Sequence, residues 1–163
     1  MVSRTFCYLL LLAVTGSPMY PQTEGRQSAG LNACQLLPKS EVDRVTGRKS
    51  YADAEPIRGS GCGYAQAQLL IYSGDKAEEN WEGTMKTFGH DKAQRFPIPG
   101  VGEKAYSFYP KPRDQYEDTN AFVVVKQGRY IIVMSVAAPQ GATAQSVQPQ
   151  ALELSKAVLA KLK

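Results

Sequence analysis

The spacing of apolar positions changes several times along this chain, and each change marks an element. From 62 to 72 apolar and polar side chains alternate, which predicts a strand. Ala65, Ala67, Leu69 and Ile71 fall on one face, and Tyr64, Gln66, Gln68, Leu70 and Tyr72 on the other. Strict alternation puts Cys62 on the Tyr64 side; a bulge at Gly61 or Gly63 would bring it round to the alanine face. The period then lengthens. Ala77, Trp81 and Met85, extended by Phe88, predict a helix over 75–88 with Asp75 as N-cap and Gly89 as stop. At that spacing Trp81 reads as core, not as part of a ligand box. Residues 89–102 read as a loop, 104–109 as a short strand and 110–118 as a charged loop. The clearest signal is a pair of β-branched runs, 120–126 and 129–137, joined at Gln127-Gly128. Such a pair is a hairpin. Residues 146–162 close the chain as a helix, with Pro149 in its first turn and Leu152, Val158, Leu159 and Leu162 apolar.

The first ordered element is predicted over 33–46. Asn32 can cap a short turn with Gln35 at the reciprocal position, Pro38 suits a first helical turn, and Gly47 is a C-terminal stop. Leu36, Leu37, Val42 and Val45 form its buried stripe. The resulting order is helix, strand, helix, strands, hairpin, helix. It predicts an α+β domain, a mainly antiparallel β-sheet with flanking helices, spanning 32–163 as a single unit.

The N-terminal residues have a different character. Arg4 supplies a positive n-region, and Phe6 to Val14 is an unbroken apolar run, too short to span a bilayer. Val14-Thr15-Gly16 then offers small residues at the −3 and −1 positions. Residues 1–16 are therefore expected to be a secretory signal peptide cleaved after Gly16, followed by a flexible linker over 17–31. Cys7 lies inside the apolar run without a lipobox around it. On this reading the protein is exported, periplasmic or extracellular, with no transmembrane segment in the mature chain.

Signal removal leaves two of the three cysteines, Cys34 and Cys62. An even pair in an oxidising compartment predicts a disulfide, worth roughly 3.5 kcal/mol in the chain-entropy account. The alternatives are a zinc pair or a nucleophile. A single histidine, His90, cannot complete a Cys/His zinc site with them.

Net charge is +4, yet Lys and Arg are scattered among acids, as in Lys76-Ala77-Glu78-Glu79. Nucleic-acid binding needs the basic residues clustered, so none is expected. His90 lies beside Asp91 in a loop, and no Gly-x-Ser-x-Gly elbow occurs, so no catalytic residue is assigned. Asp114, Glu117 and Asp118 alternate with Lys111 and Arg113 and read as a solvated loop, not a calcium site. Neither a metal nor a cofactor is expected. Pro99-Gly100-Val101-Gly102 is too poor in glycine for a phosphate loop and reads as a tight turn feeding a strand. Paired carboxylates of the glycosidase type stay open, because their separation in space is invisible in sequence.

Three stretches carry a resemblance. Asn32-Ala33-Cys34-Gln35-Leu36-Leu37-Pro38, with Glu41, Val42, Val45 and Gly47, resembles the Cys-x-Leu-Leu, helix, Gly opening of small bacterial cell-envelope domains of unknown function. Gly61-Cys62-Gly63-Tyr64 resembles their Cys-x-Tyr strand. Pro99-Gly100-Val101-Gly102-Glu103-Lys104-Ala105-Tyr106 resembles their Pro-Gly-Leu-Gly-Asp-x-Ala turn. The similarity runs over about 32–162. It implies a PsbP-like fold and a binding or assembly role; many such relatives are lipoproteins, a feature this chain departs from. The expected function is an exported, non-catalytic binding or assembly domain of the cell envelope, taking an unknown envelope protein or small ligand as partner. The alternative is a secreted enzyme with a carboxylate site not visible as a motif. The expected contact residues are Phe96 and Ile98, apolar on a loop, together with Lys111 and Arg113.

Overall fold

The computed structural model describes residues 31–50, 54–57, 61–88, 93–110 and 119–162. The segments over 1–30, 51–53, 58–60, 89–92 and 111–118 and residue 163 lie outside the described residues, and with them the expected signal peptide, most of the linker, His90 and the acidic loop. The chain runs α1 (Ala33–Leu36), α2 (Lys39–Thr46), β1 (Glu55–Ile57), β2 (Gly61–Gly63), β3 (Ala67–Ser73), α3 (Ala77–Phe88), β4 (Ala93–Pro97), β5 (Lys104–Pro110), β6 (Asn120–Gln127), β7 (Tyr130–Ala137) and α4 (Ala144–Lys161). Among the described residues these strands form one seven-stranded sheet in the order β1-β2-β3-β7-β6-β5-β4. Every neighbouring pair is antiparallel. The fold is α+β, an antiparallel sheet with flanking helices.

Alternation gives each strand two faces. On one, Leu69, Ile71, Val123, Val125, Ile132, Met134 and Val136 join Leu37 and Val42 with Ala151, Leu154 and Val158 of α4. This is the main core, covered by α1, α2 and α4. On the other face Phe108, Val124, Ile131 and Val133 gather round Trp81 of α3, which is 6% exposed. Trp81 is thus core, as expected, with Met85 packed against the same cluster. The expected β6–β7 hairpin also stands, with its turn one residue later than Gln127-Gly128. Its loop is Gly128-Arg129, with Gly128 at φ 55° in the first position, where a two-residue turn of this handedness calls for glycine.

Four expectations need correction. The first helix is two. Leu37 leaves helical geometry at φ −120°, ψ 77°, because a residue preceding proline is sterically pushed out of the α region, and Pro38 opens α2 from its N-cap position. Asn32 caps α1, its side-chain oxygen accepting from the amides of Cys34 and Gln35, and Gly47 ends α2 at φ 66°. The final helix begins at Ala144, which moves Pro149 into the second turn. Pro149 and Gln145 are both exposed, so water can reach the carbonyl that proline leaves without a helical donor. Leu31, assigned to the linker, packs against the main core.

The fourth correction resolves the Cys62 conflict. Residues 62–72 are not one strand. The chain turns back between β2 and β3, with the Tyr64 amide donating to the Ala67 carbonyl at 2.8 Å. Cys62 then pairs with Leu69 and shares its face, so a hairpin, not a bulge, brings the cysteine to the helix side. Tyr64 follows it into the main core and donates its hydroxyl to the Leu37 carbonyl at 2.7 Å. Cys34 and Cys62 form the disulfide, Cα atoms 5.0 Å apart across a sequence separation of 28. It ties α1 to β2 next to the short edge strand β1.

Candidate functional site

Of the expected contact residues, Phe96 and Ile98 are described; Phe96 lies on a strand instead of a loop, and Ile98 lies in the connection that follows it. Phe96 belongs to β4, the outer strand at one end of the sheet, and is 44% exposed. Tyr72 and Phe96 are the large hydrophobic side chains most open to solvent among the described residues. Ile98 follows the strand, half-buried against the main core, with its amide donating to the Ala105 carbonyl at 2.9 Å. Ile98 is therefore a packing residue first. Lys111 and Arg113 lie outside the described residues.

That Ile98 bond fixes which way the rest of β4 faces. Antiparallel ladders alternate bonded and non-bonded pairs, so Ile98 and Phe96 turn their backbone toward β5 while Arg95 and Pro97 turn theirs outward. Pro97 has no N–H to offer, and Arg95 brings a charge. Both are devices that blunt a free edge against strand addition. Phe96 projects from the face opposite Arg95, so recognition here would be by side chains.

Sequence reasoning missed the Arg95 side of this edge. The Arg95 guanidinium lies 4.6 Å from the centroid of the Tyr106 ring, in cation–π range. Tyr106 in turn stands 6.1 Å from Trp81 and 6.5 Å from Phe108, both tilted pairs. An Arg followed by Phe-Pro carries no alternation, so no signal in the chain marked it. Farther along the same face, Glu78 of α3 pairs with Lys104 at 3.1 Å and with Lys126. The Lys126 hydrogen bond first, then that of Lys104, holds the Glu78 carboxyl below its ordinary range. These exposed pairs dock α3 and add little stability.

The turn over Pro99–Glu103 has a packing function. Val101 is buried in the main core, the Glu103 amide donates to the Lys126 carbonyl at 2.9 Å, and the Glu103 carboxylate accepts from the Gly128 amide at 2.8 Å. The segment joins the β4–β5 connection to the β6–β7 turn.

A buried polar cluster lies at the other end. Asp43 Oδ1 accepts from both the amide and the hydroxyl of Ser50, at 2.8 and 2.6 Å, and Gln66 Nε2 donates to Ser50 Oγ and to the Arg48 carbonyl. Arg48 reaches the Ala137 carbonyl at 2.6 Å, so the cluster seals the end of α2 against β7. The Ser50 side-chain hydrogen bond, against the opposing effect of burial, lowers the Asp43 pKa. A carboxyl depressed in the folded state contributes stability above its unfolded value of about 3.9 and loses it as pH falls through the folded pKa. Asp43→Asn should therefore be less stable than wild type at neutral pH, and the gap should narrow in acid. Urea midpoints measured from neutral pH down to about pH 2 test this; a gap independent of pH would mean that the charge of Asp43 contributes nothing.

Among the described residues no group of three or more His, Cys, Asp or Glu side chains could hold a metal ion. No helix among them is long and apolar enough to cross a membrane. Compared with known proteins, the chain matches no model of a protein family and has no significant match among curated proteins.

Proposed function

We propose that this chain is an exported, non-catalytic binding or assembly domain of the cell envelope, contacting an envelope protein through the β4 end of its sheet. The observation behind this reading is Phe96, a large aromatic held 44% exposed on a strand whose backbone edge is blunted by Pro97 and Arg95. Aromatic and arginine side chains are the types that dominate protein contacts. Export is supported by the leading apolar segment and by the Cys34–Cys62 bridge, since disulfides persist in oxidising compartments. The motif resemblance to small envelope domains of PsbP-like fold points the same way. The carboxylate-enzyme reading gains less. A general acid needs a raised pKa, whereas among the described residues the displaced carboxyls, Glu41, Asp43 and Glu78, are all lowered, first by Arg44, Ser50 and Lys126 respectively.

The test compares wild type with Phe96→Ser and Ile98→Ser in capture from envelope extract, alongside thermal melts. Phe96→Ser should lose a specific partner while shifting stability by less than about 1 kcal/mol, as exposed sites do. Ile98→Ser should lower the melting temperature more, because that side chain packs on the core. An unchanged capture profile for Phe96→Ser would remove the proposed surface.

A further inference from the structure

Where the last turns of α4 pass the turn over Pro99–Glu103, a groove of about 400 Å³ opens to solvent. That is within the range of small-molecule sites. One wall is a helical stripe. Lys156, Leu159 and Ala160 stand at i, i+3 and i+4, with Leu162 beyond them. The facing wall is backbone, Gly100 to Gly102, with Gln127 at the end of β6 beside it. A side chain at Gly100 would meet nothing within 4 Å, so the backbone at that residue is open to an occupant, whereas Gly102 is packed against β6.

The charge of the lining is one-sided. Among the described residues that line it, Lys156 is the single ionisable side chain and none is a carboxylate. Several other cations are engaged, Lys104 and Lys126 by Glu78, Arg44 by Glu41 and Glu153, and Lys161 by the Leu36 carbonyl. Among the described residues Lys156 has no such partner. An ammonium without a counter-charge among the described residues, one helical turn from Leu159 in the same groove, matches a ligand with a negative head and an apolar tail.

We infer that this groove binds a small amphipathic carboxylate, a medium-chain acyl anion in size. Its head group lies on the Lys156 ammonium and the Gln127 side-chain amide, and its tail runs along Leu159 and Leu162. An exposed ammonium is a weak attractor in water, so tail burial supplies most of the affinity and Lys156 supplies the preference for negative charge. The site is separate from the Phe96 surface and stands or falls independently of it.

The experiment titrates labelled protein with decanoate, decanol and decyltrimethylammonium and follows backbone amide resonances. Decanoate should saturably shift the amides of Gly100, Gly102 and Gln127, with the alcohol weaker and the cation weakest. Lys156→Gln, at an exposed position, should weaken decanoate about fivefold, the size of an exposed ion pair, and leave decanol unchanged. Ala160→Trp, also exposed, should fill the groove and abolish both, while Phe96→Ser should alter neither. Three results would overturn the inference: no saturable shift at these amides, equal affinity for all three amphiphiles, or decanoate binding that survives Ala160→Trp.

Discussion

Breaking the Cys34–Cys62 bridge is expected to cost about 2–5 kcal/mol, a large share of the roughly 5–15 kcal/mol that stabilises a typical domain. Cys62 is fully buried between β1 and β3, and Cys34 is half-buried in a four-residue helix. Neither element could persist alone, since so short a helix is far below the length at which isolated helices form. Its attachments are the Asn32 cap, the burial of Ala33 and Leu37, the Lys161 hydrogen bond to the Leu36 carbonyl, and the disulfide. Of these the disulfide alone also restrains the unfolded chain. Cys34→Ala and Cys62→Ala should each lower the denaturation midpoint, and the double variant should lose little more than the worse single, because one bond is broken in all three. Free-thiol titration of the unfolded, unreduced protein is the direct check: titratable thiols at both Cys34 and Cys62 would show that no bridge forms.

Gly102→Ala should be as damaging by a different route. Gly102 has φ +59°, where an alanine costs roughly 1–2 kcal/mol. Its added Cβ would lie 2.6 Å from the Lys126 carbonyl oxygen and 2.6 Å from Val125 Cγ1. The carbonyl cannot yield cheaply, because it accepts the Glu103 amide, and Val125 is fully buried. Strain and clash together are expected to cost about 3–5 kcal/mol, the range of severe core lesions. Gly100→Ala is the internal control. Its φ is +76°, but a Cβ there meets nothing within 4 Å, so only the conformational part, about 1–2 kcal/mol, should appear. Equal losses in the two variants would mean that the turn shifts freely and that the close approach to β6 has no energetic weight.

The parts of this fold legible in the sequence are those whose pattern is local. The β6–β7 hairpin is written in two valine- and isoleucine-rich runs around one glycine, and Trp81 and Met85 declare the buried side of α3. What stayed hidden depends on neighbours distant in sequence. β1 has three residues, one of them Pro56, and is a strand only because it pairs with β2. β4 reads as a loop because Arg-Phe-Pro neither alternates nor favours strand; its place is fixed by pairing with β5. The break between β2 and β3 was masked by an alternation that runs on through the turn. Phe96 was legible as an apolar residue near the surface, but its position on a blunted edge was not. Nothing in the sequence couples Lys156 to Gly100, so the groove they share was invisible.

The strand order also sets the sequence in which the protein can assemble. β3 has β2 on one side, available at once, while its other neighbour, β7, is separated from it by α3 and three further strands. Central pairs such as Leu69 with Met134 therefore close a very long loop before the sheet is whole, and long loops are slow to close. The N-terminal part differs: Cys34 in α1 and Cys62 in β2 are 28 residues apart with α2 and β1 between them, so their bridge closes a much shorter loop. The main core stays open until α4 lies down across β6 and β7. A chain lacking α4 would therefore present a sheet with one apolar face exposed to aggregation.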